Sequence, residues 1–216
     1  MTDRIAHLIR HGEVDNPTDV VYSDLPGFNL SAQGRTQAAA AAQHLSNRTI
    51  GRLVASPIDR ASQTAAYLVG EPGEIEYDER LTEWRLSERW ASTPWPEIET
   101  VFPGEMTAYR EHPQRLDFAP ESIGAVANRV AAVLDEATRE ITTTEVILVS
   151  HQDPIQACRL AVTGRPLSAL HESKPGHGSV VTLRRRESDQ LWHEIEYWEP
   201  DQGTRWPPLG GDDTAP

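Results

Sequence analysis

Cysteine is all but absent: the 216 residues hold only Cys158. A lone thiol closes no internal disulfide and builds no Cys-rich metal knuckle. Long apolar runs are missing too, and the stretch that ends at Arg10 is too short for a signal core or a membrane span. Positive charge is scarce, with 20 Lys and Arg against 33 Asp and Glu and a formal net charge of −13. Such a surface repels nucleic acid and anionic lipid alike. The expectation is a cytoplasmic protein with no nucleic-acid or membrane partner; nothing in the sequence sets its oligomeric state. Three familiar catalytic signatures are lacking as well. There is no Gly-x-Ser-x-Gly elbow and no Walker loop. Six residues separate Cys158 from Arg165, one too many for a cysteine-phosphatase cradle.

What is present is an ordinary globular composition, 38% hydrophobic and 25% charged, long enough for one substantial core. Ile5 to Ile9 reads as a buried strand ending abruptly at Arg10-His11-Gly12. Ser31 suits the N-cap of a helix running to about Leu45. Leu53-Val54-Ala55 is a second strand, and Ser56-Pro57 a helix start with Ser56 as cap. Ile123, Val126, Val130, Val133, Leu134 and Ala137 recur at helical spacing. Val146 to Val149 is a third strand, followed by His151 and a helix capped by Asp153. Val180–Leu183 and Leu191–Tyr197 pair as a hairpin, and the tail 201–216 reads as flexible. Strands alternating with helices predict an α/β fold: a three-layer α/β/α sandwich around a mostly parallel mixed sheet. We expect a single domain over 1–200, with a proline-punctuated insertion at about 86–120 lying over one sheet edge. The tryptophans of that insertion read as packing residues.

In open parallel sheets, ligands bind beyond the carboxyl ends of the strands. Three distant segments place cationic or titratable groups there: Arg10-His11, Arg60 and His151. Arg60 falls in the first turn of a helix, where a cation opposes the macrodipole by about 0.3–1 kcal/mol. A bound anion reverses that cost, and a guanidinium fork grips two phosphate oxygens at once. Two arginines and two histidines around one point make a phosphate pocket even on an acidic protein. His151-x-Asp153 is too little for a metal site. His7 reads as a core residue, His177 as a rim candidate, and His44, His112, His171 and His193 as surface positions.

The motifs resemble those of the histidine phosphatase superfamily, also called phosphoglycerate mutase-like. Arg10-His11-Gly12-Glu13 is similar to its opening motif, and Leu30-Ser31-x-x-Gly34-x-x-Gln37-Ala38 to its first helix. Ala55-Ser56-Pro57-x-x-Arg60-Ala61-x-Gln63-Thr64-Ala65 resembles its second helix, Leu81-Thr82-Glu83 the segment with the acid, and Val149-Ser150-His151 the second histidine. Gly178-Ser179-Val180 resembles a late strand entry, so the likeness runs in order from Ile5 to Leu183. It implies a phosphatase acting on a small phosphorylated substrate, with no cofactor and no metal. His11 is then the nucleophile, forming phosphohistidine; Arg10, Arg60 and His151 hold the phosphate; Glu83 is the proton donor. A neutral imidazole, with an ordinary pKa near ~6.5, is competent for that attack. Arginine never loses its charge, so a separate carboxyl must handle the proton.

Three departures mark the pocket rim. Gln152 stands where the family has glycine, the glycines after the acid are missing, and Asn16 sits one residue early. Glu13, Glu79 and Glu88 therefore stay open as alternatives to Glu83. Arg85, Arg89 and Arg110 read either as contacts to further anionic groups or as solvated charge. The rival activities are a phosphomutase, which the short region around the acid disfavours, and a catalytically idle phospholigand-binding protein. Release of free phosphate, of an isomeric ester, or of neither separates the three.

Overall fold

The computed structural model describes residues 3–69, 74–139 and 144–205. Strand β1 (Arg4–Arg10) buries Ala6, His7, Leu8 and Ile9 in succession, as a strand covered on both faces must. After it come α1 (Ala32–His44), β2 (Ile50–Ala55), α2 (Asp59–Leu68) and β3 (Ile75–Tyr77). Three short helices follow: α3 (Leu86–Arg89), α4 (Ile98–Val101) and α5 (Glu105–Glu111). The rest comprises α6 (Ile123–Arg139), β4 (Glu145–Ser150), α7 (Gln152–Val162), β5 (Val180–Arg185), β6 (His193–Glu199) and β7 (Gly203–Arg205).

The sheet order is β3-β2-β4-β1-β5-β6-β7. The first four strands pair in parallel, while β5, β6 and β7 continue as an antiparallel meander. Successive side chains of β1 and β4 serve opposite faces. Leu8, Val54 and Leu148 pack against Val130, Leu134 and Ile155 of α6 and α7. Ile9, Ala55 and Val149 pack against Ala41, Ala61 and Ala65 of α1 and α2. The result is the expected three-layer sandwich. All six apolar positions of the helical repeat in α6 are buried; each large one contributes about 1.5–3 kcal/mol. Among the described residues, no helix is long and apolar enough to cross a membrane.

In the proline-punctuated segment, Trp90, Ile98 and Met106, with Trp84 just before them, pack on Ile123, Val126 and Ala127 of α6 and Ala157 of α7. Both buried indoles are hydrogen-bonded: Trp84 Nε1 donates to the Glu121 carbonyl (2.7 Å) and Trp90 Nε1 to Glu105 (2.9 Å). This cluster stands beside the α6–α7 layer, at the end of the sheet where the cavity opens.

Several local expectations need correction. Helix α2 begins at Asp59, because Ile58 keeps an extended backbone (φ −65°, ψ 133°). Ser56 Oγ instead meets His151 Nε2 at 2.9 Å. Asp153 caps nothing: His151 holds the N-cap position of α7, and the Asp153 carboxylate accepts from Lys174 Nζ (2.5 Å) and Tyr109 Oη (3.0 Å). The segment from Asp201 is not wholly irregular, since Gly203, at φ +69°, turns the chain into β7 along the free edge of β6. Residues 206–216 of the expected tail lie outside the described residues. His44 and His171 are half-buried, the first stacked on Trp198 (4.5 Å), the second bonded to the Tyr109 carbonyl. By contrast, Ser31 caps α1 as expected, accepting from Gly34 N at 2.9 Å, and His7 is a core residue.

Candidate active site

Strands β1 and β4 lie side by side with Arg10 opposite Ser150, so the residues just beyond them, His11 and His151, emerge together. Their ring centroids are 5.2 Å apart. The His11 backbone N–H donates to the Ser150 carbonyl (3.0 Å), and Gly12 N donates to Thr64 Oγ1 (3.1 Å). The loop also runs hard against α1. A Cβ on Gly12 would overlap the Gly34 backbone, and one on Gly34 would overlap that of Glu13, so both positions need glycine.

The tautomer of His11 follows from its partners. Nδ1 lies 2.7 Å from the Gly12 carbonyl oxygen, which only accepts, so Nδ1 carries the proton. Nε2 is left with its lone pair, and Arg60 Nε donates to it at 3.2 Å. Burial, then the charge of Arg60, drives the His11 pKa well below the ordinary histidine value. The same two causes act on His151. Both imidazoles are neutral at pH 7.

Arg60 is fully buried, yet neither of its terminal nitrogens has a hydrogen-bond partner. Its guanidinium sits 4.7 Å from the centre of the Tyr22 ring, a cation–π contact. Arg10 donates to the Pro175 carbonyl (2.9 Å) and to His177 Nε2 (2.7 Å), while its Nε is buried without a partner. His151 Nδ1 is likewise buried and unpartnered. Orphaned buried donors are rare in folded proteins, and those of Arg10 and Arg60, which line the same cavity, fit an anion. His177, read as a rim candidate, joins the cluster 5.6 Å from the His11 ring. Burial first, then Arg10, brings its pKa down to about 3, so it accepts from Arg10 as a neutral ring.

The cavity here measures about 90 Å3 and is lined by Arg10, His11, Tyr22, Arg60, Glu83, Gln152 and Asp153, with an apolar wall beyond. Of the four carboxyls left open by the sequence, Glu83 alone lines it. Glu13 accepts from Ser31 Oγ (2.7 Å), Glu88 pairs with exposed Arg85, and Glu79 lies in the 3-10 turn before Thr82. Burial, then the nearby charge of Asp153, pushes the Glu83 pKa up to about 7. Glu83 Oε1 accepts from Trp84 N at 2.8 Å.

Sequence reasoning missed Arg129, on α6, whose guanidinium donates to the carbonyls of Arg80 (2.6 Å), Thr82 (2.8 Å) and Glu83 (3.1 Å). It fastens the segment bearing Glu83 and is itself paired with Glu121 (2.8 Å). Nothing in its helical context sets it apart from a surface arginine. Asn16 turns back on Val20 and does not line the cavity; Gln152 donates to the same Pro175 carbonyl as Arg10 (3.1 Å). Among the described residues no cluster of His, Cys, Asp or Glu is arranged to hold a metal ion.

A neutral imidazole nitrogen beside orphaned guanidinium donors, at the carboxyl end of this sheet, suits an anionic ligand. The chain belongs to the histidine phosphatase superfamily (branch 1), whose family model matches residues 6–197. It is 39% identical over 170 residues to an uncharacterized protein of Mycobacterium tuberculosis, covering 74% of this chain and 79% of that one. It is 31% identical over 167 residues to phosphoserine phosphatase 1 of Hydrogenobacter thermophilus, covering 74% and 77%. Among solved structures, a mycobacterial glucosyl-3-phosphoglycerate phosphatase superposes with a TM-score of 0.77 at 28% identity, covering 89% of this chain and 97% of that one.

Proposed function

We propose that the protein hydrolyses a small phosphomonoester through a phosphohistidine on His11, with Glu83 as acid and then base. The observation that carries this is the lone pair of His11 Nε2 set beside Arg60, whose two terminal nitrogens have no partner. In the first step that lone pair attacks phosphorus, the bond to the ester oxygen breaks, and Glu83 gives its proton to the departing alkoxide. A carboxyl with a pKa of about 7 is half protonated at neutral pH and suits both halves of the cycle. Water then attacks phosphohistidine while Glu83 takes its proton, releasing inorganic phosphate and restoring neutral His11. Arg10, Arg60 and His151 hold the nonbridging oxygens and offset the charge of the transition state. The named relatives, phosphatases of phosphoserine and of glucosyl-3-phosphoglycerate, support hydrolysis over transfer to a second hydroxyl.

The test compares wild type with His11→Ala in phosphate release from a panel of monoesters, with acid-stable and acid-labile label counted after quenching. Loss of at least about a thousandfold in kcat, together with an acid-labile phosphoenzyme in wild type only, is expected. Equal rates in the two proteins would remove His11 from the chemistry. An isomeric ester in place of free phosphate would make the enzyme a mutase.

A further inference from the structure

The cavity lining combines two chemically opposite sets of residues. One set is Arg10 and Arg60, the only cationic residues that line the cavity among those described. The rest of the lining is mostly apolar, Val21, Trp84, Leu86, Trp90, Trp95 and Tyr109, and its two serine hydroxyls, Ser23 and Ser87, bond each other (2.9 Å). The other cations near this segment stay out of the lining: exposed Arg110 is not part of it, and others are held by partners. Arg85 pairs with Glu88 (3.0 Å) and Arg89 with Glu105, and neither lines the cavity. Lys174, the chain's one lysine, is held by Asp153 (2.5 Å) and Tyr109 Oη (2.7 Å) outside the lining. Arg129 is consumed by Glu121 and three backbone carbonyls.

The acidic groups of the lining are Glu83, which works protonated as the acid, and Asp153, whose charge Lys174 offsets at 2.5 Å. A carboxylate or second phosphate on the substrate's alcohol would lose its water there with no unspent cation of the lining to meet it. Trp95 adds an independent sign. This large ring lines the cavity yet stays 40% exposed, edge-on to buried Trp90 at 6.4 Å. An exposed indole at a cavity mouth is an apolar surface that a flat or aliphatic group would cover.

We infer that the leaving group is an uncharged apolar or aromatic alcohol, so that the preferred substrates are alkyl and aryl monophosphates and not esters bearing a second anion. This rests on the phosphatase reading above and narrows it. It also separates this chain from its named relatives, whose phosphoserine and glucosyl-3-phosphoglycerate both carry a carboxylate.

The experiment uses esters of primary alcohols, which keeps leaving-group basicity comparable: 2-phenylethyl phosphate against phosphoserine and 3-phosphoglycerate. We expect kcat/KM for 2-phenylethyl phosphate to exceed both anionic esters by at least about tenfold. Trp95→Ala should lower that ratio about fivefold, the size of an aromatic contact. Anionic esters hydrolysed as fast or faster, with the activity lost in His11→Ala, would overturn the substrate class and leave the phosphatase standing. No His11-dependent hydrolysis of any ester would bring down both readings. A preference for 2-phenylethyl phosphate that survives Trp95→Ala undiminished would also refute the proposed wall.

Discussion

Arg60 Nε donates to His11 Nε2 across 3.2 Å, joining the first turn of α2 to the end of β1. The bond aims the imidazole lone pair into the field of a guanidinium whose other two nitrogens have no partner. Removing that guanidinium strips the site of orientation and charge together. Arg60→Ala should lower kcat/KM about a hundred- to a thousandfold and weaken competitive inhibition by inorganic phosphate. Arg60→Lys should restore little of it, because an ammonium reproduces neither the fork nor the Nε contact. Full activity in the lysine variant would show that charge alone is enough.

The pH profile should report Glu83. As the acid, it works protonated, so kcat/KM should fall as pH rises through about 7. Burial is the larger cause of that raised value and Asp153 the second. Asp153→Asn removes only the second, so the alkaline limb should move to lower pH while staying above the ordinary carboxylate range. Ionisation of the substrate is common to both proteins, and the difference between their profiles isolates the carboxyl. Coincident limbs would mean that another group supplies the proton.

Arg129 is not itself part of the cavity lining, yet it binds the carbonyl of Glu83, which is. Arg129→Met should release the Arg80–Glu83 segment and lower kcat about tenfold or more through misplacement of the acid, with KM changed far less. Three lost backbone bonds should also reduce stability by about 1–3 kcal/mol. Parallel loss of kcat and rise of KM would argue for general unfolding of the pocket instead.

Gly34 lets α1 approach the loop that carries His11. Gly34→Ala gains helix propensity but drives a methyl into the Glu13 backbone, so the loop must retreat. Thermal unfolding should show a net destabilisation of about 1–3 kcal/mol, with loss of activity beyond what folding explains. A stabilised, active Gly34→Ala would mean that the close approach does not matter.

The order of elements was legible because their signals are local. The apolar run of β1, the 3.6-residue repeat of α6 and the cap at Ser31 each declare themselves within a few residues. Ser56 and Asp153 misled for one reason. Each has the chemistry of a cap, but its partner comes from far along the chain, His151 for one and Tyr109 with Lys174 for the other. Local propensity cannot see such competition. The helices α3 to α5 are shorter than a stable isolated helix, and what holds them is Trp84 and Trp90 packing on distant α6 and α7. At the site, Arg10, His11, Arg60 and Glu83 line one cavity and the His151 ring stands 5.2 Å from that of His11, while the roles the motifs imply for them belong to the proposal. His177 was visible only as a rim candidate, whereas Tyr22 and Arg129 carry no sequence pattern of their own, and only the folded chain brings them in.

Hydrogen-bonded neighbours in a sheet stand about 4.8 Å apart, and His11 and His151 inherit that interval from β1 and β4, their rings 5.2 Å apart. The proposed phosphate grip is thus built into the ladder of the sheet, whereas the apolar wall of the cavity rests largely on short helices outside the sheet. Evolution or an engineer could recut that wall, residue by residue between Leu86 and Glu111, and offer the same grip a different guest.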